Sequence, residues 1–375
     1  MPIPYGRQSI SDEDIEAVVE VLKGDWLTIG PKVAEFEAAI ARVASTPAAA
    51  VVSSGTSALH CAYAAIGLAR GDEVITTPLT FVATAATAMA EGATIRFADI
   101  QEDTGNIDPD SVAAQLGDRT RVIAAVDYAG HPADLDELGA LAHGAGALLL
   151  EDAAHAIGSL YRGRPVGSVS DVTAFSFFPT KNLTSGEGGA VVSPDAALVE
   201  RARRFRSHGL VRDPAEQRYP DEGAWHQEVH RVGLNYRLPD ILCALGNSQL
   251  KRLSVFKAKR TAIYERYVAG LADLPELILP PTRSYVDPMW HLFPVRVRDG
   301  QRKRVFDFLR ANEVLVQVNY IPVYWHPAFE DLGYRRGECP VAEQYYREEI
   351  SLPMFADLAP SDQDRVIELL HTALA

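Results

Sequence analysis

Two residues at the ends of apolar runs carry the most chemistry in this chain. Lys181 sits in Ser-Phe-Phe-Pro-Thr-Lys-Asn-Leu-Thr-Ser-Gly-Glu-Gly-Gly (176–189), between two apolar stretches that read as strands. Upstream, Asp152 closes the run Ala-Leu-Leu-Leu-Glu-Asp (147–152). A primary amine and a carboxylate, each at a strand end of a strand–helix–strand chain, are what a pyridoxal phosphate site needs. The amine forms a Schiff base with the aldehyde, and the carboxylate keeps the pyridine nitrogen protonated so that the ring accepts electrons.

A phosphate would need its own cradle. Ser-Ser-Gly-Thr-Ser (53–57) follows a strand and opens a helix, so free N–H groups, hydroxyls and the helix dipole converge there. Phe81, just after Thr-Pro-Leu-Thr (77–80), is an aromatic that could stack on a planar ring. Each residue alone has a plainer reading: a capped turn at Ser53–Ser57, core packing for Phe81, a helix cap at Asp152, a solvated loop lysine at Lys181. Their order and spacing together favour the cofactor reading.

The elements that must hold these residues are α/β. Ser11 reads as a helix cap followed by acids in the first turn. Strands are expected at 48–52, 73–77, 93–97, 122–126 and 147–150, with helices from about 57, over 80–89 and over 135–143. Continuous apolar strands alternating with helices imply a mostly parallel sheet covered on both faces. Ligands of such a sheet bind beyond the carboxyl ends of its strands. A more charged helical stretch, 246–274, reads as the bridge to a second domain of short strands (291–298) and helices (302–312, 360–373).

Composition bounds the rest. The chain has 375 residues, 47% of them hydrophobic, enough for two domains. Its formal charge of −14 argues against a nucleic-acid or anionic-membrane partner, which needs an extended basic face. Three scattered cysteines, Cys61, Cys243 and Cys339, suit neither a disulfide framework nor a zinc ribbon. With no signal-peptide core and no apolar run of roughly 18 residues, the expectation is a cytoplasmic protein. His226 and His230 stand at i and i+4 but lack an obvious third ligand, so no metal is expected. The basic run Arg201–Arg206 reads as a solvated helix face.

Several motifs, in order, resemble one family. Ser-Gly-Thr-Ser-Ala-Leu (54–59), Thr-Pro-Leu-Thr-Phe-Val-Ala-Thr (77–84), Glu-Asp-Ala-Ala-His-Ala-Ile-Gly (151–158), the lysine segment 175–189 and Val-Gly-Leu-Asn-Tyr-Arg-Leu-Pro-Asp (232–240) resemble the DegT/DnrJ/EryC1/StrS sugar aminotransferases. The resemblance runs from about Ile10 to the C-terminus. Ile-Pro-Tyr-Gly-Arg-Gln near the N-terminus, Gly-Asp-Trp-Leu-Thr-Ile-Gly-Pro-Lys-Val and Tyr-Ile-Pro-Val-Tyr-Trp-His-Pro (320–327) are most similar to the branch making pseudaminic acid precursors. Those enzymes aminate C4 of a UDP-linked N-acetyl 4-keto-6-deoxy sugar.

The resemblance implies the aspartate aminotransferase superfamily fold, fold type I of pyridoxal phosphate enzymes. That is a large domain with a mostly parallel seven-stranded sheet and a smaller C-terminal α/β domain. Here the division would fall into residues 1–245, with an N-terminal arm, and residues 246–375. It also implies a homodimer with shared active sites, and glutamate as amino donor to a nucleotide-linked keto sugar. By position, Lys181 matches the Schiff-base lysine and proton shuttle, and Asp152 the pyridinium partner. His155 matches a residue beside the cofactor's phenolic oxygen, Gly55, Thr56 and Ser176 the phosphate contacts, and Phe81 the position over the ring. Asn235 matches a residue donated by the other subunit. Tyr5, the stretch Asp25, Trp26, Leu27, Thr28, and the stretch Tyr320, Ile321, Pro322, Val323 match the sugar-nucleotide cleft, which Gly55, Ser176 and Asn235 also border. Phe178 departs from the pattern, standing where many relatives carry histidine. Arg237 is a candidate for the donor carboxylate on charge alone. The rivals are an aminotransferase for a dTDP- or GDP-linked keto sugar, a pyridoxamine-dependent dehydratase, which would replace the lysine by histidine, and a non-catalytic regulator of the same fold.

Overall fold

The computed structural model describes residues 2–375. Its centre is a seven-stranded sheet built from β1 (Ala48–Val52), β2 (Glu73–Thr76), β3 (Thr94–Phe97), β4 (Thr120–Val126), β5 (Leu148–Asp152), β6 (Val172–Ser176) and β7 (Gly189–Ser193). The spatial order is β1-β7-β6-β5-β4-β2-β3. All neighbours run parallel except β7, which is antiparallel to both β1 and β6.

The strands read as unbroken apolar runs because both faces are covered, and side chains alternate between them. Ala50 and Val52 of β1, with Val122 and Ala124 of β4, pack in one core with helix Gly55–Ile66. Ala49 and Val51 turn the other way, onto helix Pro31–Ala44. Ile123 and Ala125 likewise meet helix Leu135–Gly144. Helix Asp12–Lys23 begins where expected, with the Ser11 N–H donating to Asp14 Oδ2 at 3.0 Å.

A second, antiparallel sheet joins Leu277–Ile278, Phe293–Val297 and Glu349–Leu352. Helices Leu253–Leu271, Arg302–Ala311 and Pro360–Leu374 bury Tyr267, Leu309, Val366 and Leu370 around it. The expected division at 245/246 falls inside helix Asp240–Leu250, which packs on the first two helices of the chain. The N-terminal arm docks on the C-terminal part: Ile3 exchanges backbone hydrogen bonds with Glu313 and Leu315, and Met354 N–H donates to the Tyr5 carbonyl. No helix among the described residues is long and apolar enough to cross a membrane.

Candidate active site

The carboxyl ends of β1, β4, β5 and β6 open into a cavity of about 520 Å³. Tyr5, Gly55, Thr56, Phe81, Asp152, His155, Ser176, Lys181 and Tyr320 all line it. Each is placed by local rules. Ser54 caps helix Gly55–Ile66 by accepting the Ser57 N–H at 3.0 Å, which aims the helix's free first-turn N–H groups into the cavity. Glycine is required next to it: a Cβ on Gly55 would come within 2.7 Å of Ser176 Cβ. Asp152 ends β5 and is buried. Its Oδ2 accepts the Thr84 hydroxyl at 2.6 Å and its Oδ1 the Ala154 N–H at 3.2 Å.

Lys181 lies in the connection between β6 and β7. That connection is braced by Phe177 N–H donating to Gly188 O at 2.8 Å, and by the Asn182 amide donating to His155 O at 2.6 Å and Met289 O at 3.0 Å. Burial pulls the Lys181 amine from 10.5 down to about 8, opposed only by the Asp152 charge. Burial likewise raises the Asp152 carboxyl, countered by Thr84, Ala154 and Lys181. A lysine this far down supplies a neutral amine near neutral pH, as a nucleophile or proton carrier requires.

His155 Nε2 and the Tyr320 hydroxyl are 3.1 Å apart, and the His155 ring centroid stands 4.3 Å from that of His291. Burial, reinforced by Lys181, keeps both imidazoles well below their ordinary value and so neutral. The Nδ1 of His155 is enclosed and has no partner among the described residues, leaving a polar group beside the cavity to be satisfied. Phe81 is 59% exposed at the rim, free to cover a planar ring. Basic amine, carboxylate, open helix N-terminus and exposed aromatic are the donor set that pyridoxal phosphate needs, and the cavity fits it.

Other expected residues lie elsewhere in the chain. Asp25, Trp26, Leu27 and Thr28 form an exposed loop outside this cavity. The loop is tied down by Asp240, whose buried carboxylate accepts the Gly30 and Lys32 N–H groups at 2.7 and 2.9 Å. Ile321 is exposed, whereas Pro322 and Val323 are buried beneath the cavity, the latter donating its N–H to Pro78 O. Asn235 is exposed and does not line Lys181's cavity, and Arg237 lines a different surface cavity with Ile29 and Arg212. His226 and His230 both contact Glu228. The Arg201–Arg206 run is less solvated than expected, because Arg203 and Arg206 bind Glu37 and Arg206 also donates to Val51 O. His291 and Asn319, which also line the cavity, carry no motif signal; a histidine between Trp290 and Leu292 reads as core.

Residues 8–371 match the DegT/DnrJ/EryC1/StrS aminotransferase family. The chain belongs to that family. Membership makes it an aminotransferase with pyridoxal phosphate as cofactor, on the fold the sheet order describes. It is similar to the spore coat polysaccharide biosynthesis protein SpsC of Bacillus subtilis, with 38% identity over 98% of this chain and 96% of the relative. It is also similar to the UDP-4-amino-4,6-dideoxy-N-acetyl-beta-L-altrosamine transaminase of Campylobacter jejuni, with 36% identity over 99% of this chain and 97% of that enzyme. Among solved structures, Helicobacter pylori PseC, an aminotransferase of pseudaminic acid biosynthesis, superposes with a TM-score of 0.93 and 32% identity, covering 100% of this chain and 99% of that one.

Proposed function

We propose that this aminotransferase moves the amino group of glutamate, in two half-reactions, to C4 of a nucleotide-linked 4-keto-6-deoxy sugar, a UDP-N-acetyl sugar of the pseudaminic acid type. The observation that carries the reaction type is the part-enclosed Lys181 amine, lowered to about 8, in one cavity with the buried Asp152. The sugar class rests on similarity to the Campylobacter transaminase and to PseC. When bound, pyridoxal phosphate supplies an electron sink that carries the amino group between the two substrates.

The chain's residues do the rest. Lys181 Nζ holds the cofactor between turnovers and, once released, moves the proton at the substrate carbon. Asp152 keeps a negative charge against the ring nitrogen, where electron density arrives in both half-reactions. The Gly55 and Thr56 N–H groups with the Ser176 hydroxyl hold the phosphate, and Phe81 covers the ring. Tyr5, Phe178 and Tyr320 wall the space for the sugar. Lys181 is the only lysine or arginine lining the cavity among the described residues, so a substrate diphosphate or carboxylate needs cations from elsewhere. A second copy answers that need. Asn235 and Arg237 sit beside exposed Val232 and Leu234 in sequence, apolar surface that suits a homodimer presenting Asn235 to its partner's site.

The test is a panel of UDP-, GDP- and dTDP-linked 4-keto-6-deoxy sugars with glutamate, read by 2-oxoglutarate release and the mass of the amino sugar. The reading expects the UDP-N-acetyl substrate to turn over best. Preference for a GDP- or dTDP-linked substrate would reassign the sugar. No amination of any panel member by a visibly cofactor-loaded enzyme would end the proposal.

A further inference from the structure

Asp152 is the one charged group buried against the ring position, and its ionisation has only slender support. Lys181 is the only cation that bears on it, and burial works against its charge. Tyr63, Tyr320 and the buried Asp127 also face it and offer no positive charge. What remains is hydrogen bonding. Thr84 Oγ1 lies 2.6 Å from Asp152 Oδ2 and only 2.9 Å from Thr80 Oγ1. A threonine has one hydroxyl proton. Its alternative acceptor, Phe81 O, is 3.4 Å away, so the proton goes to the carboxylate at the shorter, charge-assisted distance. Having donated, Thr84 oxygen can accept the Thr80 proton. Both hydroxyls are buried, and the Thr84 backbone is fixed by Tyr63 hydroxyl donating to its carbonyl at 3.0 Å.

We infer that Thr80 and Thr84 form a one-way hydroxyl relay that aims the Asp152 carboxylate and holds it ionised. Thr84 is thus a positioning residue acting through Asp152. The inference rests on the reading of Asp152 as the ring-nitrogen partner for its catalytic meaning, though not for its electrostatics. The relay also ties two cofactor contacts together, because Phe81 lies between its members in sequence. A hydrogen bond to a charged acceptor is worth enough to shift a buried carboxyl by roughly one to two pH units.

The experiment is a carbon-13 NMR titration of Asp152 in the cofactor-free protein, with Asp152→Asn identifying the resonance. Thr84→Val, nearly the same shape without the hydroxyl, should raise the Asp152 midpoint by at least one pH unit. Thr84→Ser should restore it, and Thr80→Val should raise it by less. An unchanged midpoint in Thr84→Val overturns the relay. If that variant does not fold, an unchanged midpoint in Thr80→Val does so instead. Affinities for pyridoxal phosphate and for its analogue with carbon in place of the ring nitrogen separate the two layers. Thr84→Val should weaken the first by tenfold or more and leave the second within a few-fold. A shifted midpoint with equal losses for both ligands would keep the relay and remove Asp152 from the ring nitrogen.

Discussion

The reactivity of Lys181 is fixed by its surroundings, and the effect is large enough to measure directly. An amine with a pKa of about 8 in place of 10.5 is roughly one-quarter neutral at pH 7.5, against about one in a thousand for a free lysine. Lys181 should therefore capture an aldehyde about 200-fold faster than Nα-acetyl-lysine at that pH, before proximity adds anything. The assay takes cofactor-free protein, adds pyridoxal phosphate, traps the product with borohydride and reads the adduct by intact mass. Expressing the rate relative to Nα-acetyl-lysine cancels the cofactor's own ionisations. That ratio should be flat below the Lys181 midpoint near 8, then fall about tenfold per pH unit until the free amine also becomes neutral. Since Asp152 is the group holding the value up, Asp152→Asn should move the midpoint lower still. A ratio near unity at neutral pH, or a midpoint near 10, would refute the claim that burial tunes this amine. Lys181→Arg should form no adduct, because guanidinium stays protonated.

In turnover, Asp152→Asn should cost far more than tenfold in rate while adduct formation at Lys181 persists; a smaller loss, under about 1.4 kcal/mol, would make Asp152 a mere cap. Glu349 is fully buried, and desolvation pushes its carboxyl from 4.5 up to about 8, although it accepts the Asn319 N–H at 2.7 Å. The folded chain then holds a proton that the unfolded chain releases, so stability falls as pH rises between those two values. Glu349→Gln should flatten that slope in urea midpoints measured from pH 5 to 9, and an unaltered slope would place the sensitivity elsewhere. Mixing inactive Lys181→Ala with impaired Asn235→Ala subunits should restore activity by creating one intact site per heterodimer. No gain, with subunit exchange demonstrated, would keep Asn235 out of the partner's site.

Much of this was legible in the chain because it depends on local rules. The apolar run closing at Asp152, the strand opening at Glu73, the helix start after Ser11 and the helix-opening turn at Gly55 follow from apolar runs and breakers a few residues apart. The antiparallel sense of β7 was not legible, since a run such as Gly189–Ser193 has a period but no direction. Nor was Thr84's contact with Asp152, which spans 68 residues of sequence; in Phe-Val-Ala-Thr it reads as ordinary helix content. Buried polar groups were hardest to see. Glu349 begins Glu-Ile-Ser-Leu and Arg260 sits in the charged stretch Lys-Ala-Lys-Arg, yet both are almost wholly enclosed. Arg260 is spent on the carbonyls of Trp290, His291 and Met354. Only the tertiary fold reveals such partners.

The antiparallel β7 has a kinetic corollary. Lys181 rides on a connection pinned across its base and anchored through Asn182 to two separate segments. Under the proposed function its amine leaves and regains its place in every catalytic cycle, and with the backbone clamped it would do so by turning about its own side-chain torsions. Exposed side chains change rotamer in picoseconds to nanoseconds, whereas loop excursions take nanoseconds to microseconds. The return of the lysine should therefore need no loop excursion. Spin-relaxation measurements on the 177–188 backbone should find it as rigid as the strands it joins.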